Sequence, residues 1–143
     1  MNDNAQVAVF IDYDNIEISA SDKLGKDVDV EWSLVLEAAA QIGRVVVRRA
    51  YADWSADVNA GYRQQLVGRA VDLVQLFPAA AYGKNGADIR LAVDTVEDMF
   101  RLPDLTHVVI VAGDSDYIPL AQRCKRLGRY VVGIGVAGSS SRA

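Results

Sequence analysis

The chain is poor in several residue types that define particular classes of protein. Its single cysteine, Cys124, excludes an internal disulfide or a zinc knuckle, and its single histidine, His107, leaves little room for a Ser-His-Asp triad. The apolar runs are strand-sized, far short of the roughly 20 residues that a membrane span needs. The polar, acidic start has no signal-peptide features. With 143 residues, 51% of them hydrophobic, we expect one folded domain in a reducing cytoplasm.

Charge of either sign is not in large excess. Fifteen Lys and Arg residues against nineteen Asp and Glu residues give a net charge of −4, which argues against tight, sequence-independent binding to polyanions. If four of the acids surround a metal ion, however, the remaining charges balance. The acidic composition therefore does not exclude a nucleic-acid substrate.

Five apolar, β-branched runs predict strands covered on both faces, because they lack the in–out alternation of half-exposed strands. These runs are Val7–Asp12, Arg44–Tyr51, Val71–Phe77, His107–Ala112 and Tyr130–Val136. Apolar stripes with helical spacing lie between them, at Trp32, Val35, Leu36, Ala39 and Ile42, at Tyr62, Leu66 and Ala70, at Leu91, Ala92, Val96 and Met99, and at Ile118, Ala121 and Leu127. This alternation predicts an α/β fold with a parallel sheet. Gly43 and Gly128, just past helical stretches, are predicted to adopt the left-handed conformation.

Two of the predicted strands end in acidic clusters. The first strand runs into Asp12, Asp14 and Asn15, and the fourth into Gly113-Asp114-Ser115-Asp116. Ligands of open parallel sheets bind beyond the carboxyl ends of the strands. Helix capping explains one acid at each strand end but not two. We therefore expect the first and fourth strands to be neighbours, so that Asp12 and Asp114 converge on one site.

A third motif begins at Lys84-Asn-Gly86 and continues as a helix through Asp88 and Asp94. Asp88 lies in the first turn, where the helix dipole favours a carboxylate. Asp94 is rotated about 120° and lies roughly 9 Å further along the helix, so the two acids cannot easily share one ion. Asp88 is the better metal ligand, and Asp94 is either an outer supporting group or a solvated acid.

Carboxylates without nearby His or Cys form an all-oxygen site that suits Mg²⁺ or Mn²⁺ rather than zinc. A cation also offsets the mutual repulsion of the acids. The chemistry typical of such a site is hydrolysis at phosphorus.

Together, the motifs Phe-Ile-Asp12-Tyr-Asp-Asn15, Lys84-Asn-Gly-Ala-Asp88 and Gly113-Asp114-Ser-Asp116-Tyr resemble those of the NYN domain family, the PIN-like ribonucleases related to bacterial LabA-like proteins. The resemblance runs from about Ala5 to Arg142. It implies a Rossmann-like three-layer α/β/α sandwich with a mainly parallel five-stranded sheet, and an Mg²⁺ or Mn²⁺ site that cleaves RNA. By position, the acidic set would be Asp12, Asp88, Asp114 and Asp116, with Asn15 supporting the site.

Contacts to the RNA are expected from residues outside this acidic set. Lys84, Arg48 and Ser115 are the candidate substrate-binding residues, and Arg49 and Arg129 are among the further arginines able to reach a phosphate backbone. Tyr13 and Trp54 are candidates for stacking on unpaired bases, although loop aromatics more often pack locally.

Two other functions stay open at this point. The Asp-x-Asp after the first strand also fits a haloacid-dehalogenase-type phosphatase, but that family prefers Thr or Val where this chain has Asn15. A non-catalytic regulatory or RNA-binding NYN module is the second alternative. Against it, all four acids of the motif set are present in this chain, whereas an inactive site would usually have lost one.

The serine-rich end of the chain, residues 138–143, is expected to be a flexible tail after a core at residues 5–137. Family members usually continue with another helix and often a strand, so either the chain is shortened or this member is unusually small, and the last strand is expected at an open sheet edge. Because unpaired edges invite association, a homodimer or an exchanged C-terminus is the expected consequence.

Overall fold

The structure is a computed structural model that describes residues 4–24, 30–55, 57–76, 86–113 and 117–135. Five strands start within one residue of their predicted positions: β1 (Gln6–Asp12), β2 (Arg44–Ala52), β3 (Asp72–Gln75), β4 (His107–Val111) and β5 (Tyr130–Ile134). They form one sheet in the order β3-β2-β1-β4-β5, and every neighbouring pair is parallel. The predicted parallel sheet is confirmed.

Helices cover both faces of this sheet. They are α1 (Tyr13–Leu24), α2 (Trp32–Ile42), α3 (Asp57–Val67), α4 (Gly86–Arg101) and α5 (Ile118–Arg126). Buried residues of α1, α2 and α3 belong to one apolar cluster, and those of α4 and α5 belong to a second cluster on the opposite face. This arrangement confirms the three-layer α/β/α sandwich. No described helix is both long enough and apolar enough to cross a bilayer.

The central strand β1 explains why the apolar runs show no alternation. Val7, Val9 and Ile11 pack into the first cluster, whereas Ala8 and Phe10 pack into the second, and all five are completely buried. β1 pairs with β2 on one side and β4 on the other, which confirms that the first and fourth strands are neighbours. The chain changes direction across the sheet between these strands, and such switch points place a crevice at the carboxyl ends.

Two helical stripes differ from their predictions. Ala70 lies outside α3, in an exposed turn where its φ is 62°, because α3 ends at Val67. In α5, Leu120 and Cys124 form the buried face, and Ile118 is 38% exposed. The i,i+4 spacing of Leu120 and Cys124 places both on one side of this short helix, and they turn Ile118 outward. Cys124 is confirmed as a core residue, and burial raises the pKa of its thiol to about 11.

Gly43 and Gly128, the two glycines predicted to be left-handed, differ in backbone conformation and in the reason why glycine is present. Gly128 has φ +86°, so that prediction is confirmed. Gly43 has φ 173°, which is extended backbone, so its prediction was wrong. A Cβ at Gly43 would lie 2.6 Å from the Cβ of Ala5 and 2.7 Å from its carbonyl oxygen. The glycine is needed there because the start of β2 passes directly against the residue before β1.

We expect Gly43→Ala to lower the free energy of unfolding by about 1–3 kcal/mol, since the added methyl group meets backbone that cannot move without shifting β1. Gly133→Ala in β5 is the matched control, because nothing lies within 4 Å of its added Cβ; it should be neutral or slightly stabilising. Urea denaturation measures both. Equal stabilities for the two variants would contradict the steric explanation.

Candidate active site

Asp12, the last residue of β1, is 2% exposed, and its two carboxylate oxygens have different partners. The backbone N–H of Asn15 donates to Oδ1 at 3.3 Å, which is the bond of a helix N-cap at the start of α1. The hydroxyl of Tyr117 donates to Oδ2 at 2.7 Å. Asp12 therefore caps a helix with one oxygen and takes part in a polar cluster with the other.

The Tyr117 hydroxyl also brings Asp88 into this cluster. Its oxygen lies 3.0 Å from Oδ1 of Asp88, in the first turn of α4. Burial, followed by the negative charges of Asp12 and Asp88, raises the pKa of Tyr117 far above the usual value for a phenol, so the hydroxyl keeps its proton. Because the hydroxyl has one proton, it can donate fully to only one of the two carboxylates at a time.

Asn15 connects the start of α1 to the end of β4. Its side-chain oxygen accepts a hydrogen bond from the backbone N–H of Gly113. Gly113 is buried and directly precedes Asp114 in the chain. The Asn15 side chain therefore holds the backbone at the point where the second acidic motif begins.

The structure brings together two of the four predicted acids, Asp12 and Asp88. Asp114, Asp116, Ser115 and Lys84 lie outside the described residues. Within the described ranges, no three His, Cys, Asp or Glu side chains lie close enough together to hold a metal ion.

Two aspartates further along α4 are bound to basic or hydroxyl groups. Asp94 accepts a hydrogen bond from the buried Tyr51 hydroxyl at 2.7 Å and lies 3.4 Å from Arg90. Asp98 is completely buried and pairs with Arg49 and, at 2.9 Å, with Arg101. Asp94 is thus held by Tyr51 and Arg90 rather than being a solvated acid, and it supports the packing of α4 on β2.

Asp14 belongs to a separate network on the other face of the sheet. Its carboxylate accepts hydrogen bonds from the side-chain amide of Asn59 at 3.1 Å and from the backbone N–H of Asp53 at 3.3 Å. Burial raises the pKa of Asp14, although both hydrogen bonds oppose the shift. Asp14 therefore ties α1 to α3 and to the end of β2.

The structure places the described basic candidates away from the Asp12 cluster. Arg48 lies in β2 and pairs with Val9 of β1. It is on the opposite face of the sheet from Asp12, and the two residues are roughly 10 Å apart along the strands at about 3.3 Å per residue. Arg49 is bound to Asp98. The guanidinium of Arg129 donates to the carbonyl oxygens of Leu105 and Met99 at 2.9 and 2.6 Å, so it joins the last turn of α4 to the segment before β4.

The proposed stacking role of two aromatic residues was wrong. Tyr13 is completely buried and Trp54 is 4% exposed, and their rings contact each other at a centroid distance of 4.8 Å. They are core residues and cannot stack on a base.

Sequence reasoning missed Tyr117 as a member of the site. A signal was present, since a tyrosine directly after Gly-Asp-Ser-Asp stands next to the second acidic motif. Its hydroxyl cannot be assigned to Asp12 and Asp88, 105 and 29 residues away, until the sheet order is known.

Comparisons with known proteins agree with this fold and motif set. The chain is 23% identical, over 96% of its length, to an uncharacterized protein of Methanocaldococcus jannaschii, and it spans about half the length of that relative. It also superimposes on the crystal structure of a protein of unknown function from Vibrio parahaemolyticus, with a TM-score of 0.80, 21% identity and coverage of 99% of this chain and 88% of the other. The NYN domain model matches residues 6–143. The chain therefore belongs to the NYN domain family, a family of PIN-like nucleases.

Proposed function

We propose that this protein is a ribonuclease that hydrolyses RNA phosphodiester bonds with Mg²⁺ or Mn²⁺. The observation that best supports this function is the contact of one buried hydroxyl, that of Tyr117, with both Asp12 and Asp88. The two carboxylates meet at the carboxyl ends of the strands, beside the switch point where open α/β sheets bind ligands. Membership of the NYN family supports the choice of RNA as substrate.

The donor chemistry at this edge fits a hard divalent cation. Asp12, Asp88 and Tyr117 present carboxylate and hydroxyl oxygens, which suit Mg²⁺ or Mn²⁺. We propose that Asp12, Asp88 and Asp114 hold the ion. When bound, such an ion supplies charge that polarises a phosphate oxygen and stabilises the leaving oxygen.

The remaining roles belong to the chain's own residues. The N-cap bond from Asn15 and the hydrogen bond from Tyr117 fix the orientation of the Asp12 carboxylate. We propose that Asp116 orients the attacking water or contacts a second ion, and that Lys84 and Ser115 bind the scissile phosphate. As the oxygen of the attacking water bonds to phosphorus and the bond from phosphorus to the leaving oxygen breaks, the proton of the water would pass to a carboxylate of this site.

We expect Asp114→Asn to slow RNA cleavage on the order of 100-fold at limiting Mn²⁺, because the side chain keeps its shape but loses its charge. The melting temperature of the metal-free protein should stay the same or rise, since one of several mutually repelling carboxylates is removed. Cleavage of structured and unstructured RNA in Mn²⁺, Mg²⁺ and EDTA measures the first effect, and thermal unfolding measures the second.

Asp104→Asn is the control, because this substitution makes the same change in net charge at an exposed acid in the turn before β4. It should cleave RNA like the wild type. An Asp114→Asn variant that is as fast as the wild type would contradict the site. Wild-type protein that binds RNA but does not cleave it in either metal would instead support the non-catalytic alternative.

We expect Tyr117→Phe to lower the free energy of unfolding of the metal-free protein by about 1–3 kcal/mol, because Asp12 and Asp88 lose their shared donor in a buried place. The loss should be smaller in saturating Mn²⁺, since the ion and the hydroxyl act on the same carboxylates. Chemical denaturation with Mn²⁺ and with EDTA measures the difference.

Tyr51→Phe is the control, because it also removes a buried hydroxyl that donates to a carboxylate, that of Asp94, six residues after Asp88 on α4. Its loss of stability should be the same with and without Mn²⁺. If Mn²⁺ leaves the loss in Tyr117→Phe unchanged as well, the hydroxyl and the metal do not share a site.

A further inference from the structure

Helix α4 carries an apolar stripe on its outer face. Ile89, Val93 and Phe100 are 59%, 56% and 72% exposed, and the half-buried Val96 lies beside them. Their spacing of four, three and four residues keeps the stripe on one side of the helix over roughly 16 Å. It is the spacing of a helix that packs against another helix.

This outer stripe is not needed for the fold. The opposite face of α4 already packs on the sheet through Leu91 and Met99, which are 0% and 2% exposed. Thr95 and Asp98 are completely buried on the same side. Within the described residues, the core on this side of the sheet therefore forms without Ile89, Val93 and Phe100, whose exposed side chains are available to a second molecule.

The charges beside the stripe are arranged for a copy of the same helix. Arg90 and Glu97 are both exposed and, at 100° per residue, both lie on one flank of the stripe. When two copies of α4 pack antiparallel about a two-fold axis at the middle of the stripe, Arg90 of each copy lies about 3 Å, measured along the helix axis, from the level of Glu97 of the other. In a parallel pair this flank of each copy would lie on opposite sides of the interface, so Arg90 of one copy would not meet Glu97 of the other.

We propose that α4 is a self-docking surface, on which two copies of this chain pack antiparallel through Ile89, Val93 and Phe100. Two symmetric ion pairs join Arg90 of each copy to Glu97 of its partner, as a two-fold interface requires. Arg90 gives up little in forming this pair, because its side chain is 52% exposed and its present contact with Asp94 lies within one helix. The dimer is independent of the proposed nuclease activity, and it differs from one formed through the open edge of β5.

Charge exchange tests this geometry. Arg90→Glu and Glu97→Arg each replace two attractive pairs by two repulsive ones, so each variant alone should dimerise about tenfold more weakly than the wild type. In the mixed dimer of the two variants both pairs are attractive again, one with the native signs and one with the signs reversed, so an equimolar mixture should dimerise like the wild type. Sedimentation velocity on the full chain, up to about 1 mM, measures the dimer in each sample.

The controls are Arg69→Glu and Glu37→Arg, which change exposed charges after α3 and on α2 and should leave the dimer unchanged. Thermal unfolding verifies that each variant is folded. Wild-type protein that is monomeric throughout this range overturns the proposal. A dimer that persists in both single variants, as one built on β5 would, also overturns it, and so does a mixture that fails to dimerise.

Discussion

The complete burial of β1 between β2 and β4 is the constraint on which the rest of the structure depends. A slip of one residue in the register of this strand would move every side chain to the opposite face of the sheet, where it would no longer fit the helices packed there. Its last residue, Asp12, is therefore fixed at the edge where the direction of the chain across the sheet changes. α1 begins at the next residue, so the N-cap of α1 and the acid of the site are the same side chain. Gly43 contributes to the pairing of β1 with β2, because it lets the start of β2 approach Ala5, the residue before β1.

The acids of the molecule divide into two kinds according to what holds them. Asp98 is paired with Arg49 and Arg101, and Asp94 with Arg90 and the Tyr51 hydroxyl. The contacts with Arg49 and Tyr51 hold α4 against β2, because both residues lie in β2. Asp12 and Asp88 instead meet at the Tyr117 hydroxyl, where burial keeps the phenol protonated, and Asp12 also accepts from the backbone N–H of Asn15. Two carboxylates that meet at a sheet edge suit a divalent cation, whereas the contacts of Asp94 and Asp98 contribute to the stability of the fold.

Much of the fold could be predicted from the sequence, because five β-branched runs without alternation leave few alternatives to a covered parallel sheet. The neighbouring position of β1 and β4 also followed, from the requirement that their acidic ends converge. The predictions that were wrong or missing concern residues whose positions depend on tertiary contacts, which local sequence patterns do not reveal. Gly43 has the position of a helix-ending glycine but is required by the nearness of Ala5. Tyr13 follows a strand as a loop residue would, yet its ring packs between Trp32 and Trp54. Tyr117 contacts acids on two other elements, and only the assembled sheet identifies it.

The central claim is that Asp12 and Asp88 belong to one divalent-cation site, and its most direct test is anomalous diffraction from crystals soaked in Mn²⁺. We expect a manganese peak between the Asp12 and Asp88 carboxylates, with at least one of their oxygens about 2.2 Å away and the others within reach of one bridging water. A fully occupied peak elsewhere, such as beside Asp14 and Asp53, would contradict it. So would the absence of any peak in crystals of protein that cleaves RNA in the same concentration of Mn²⁺.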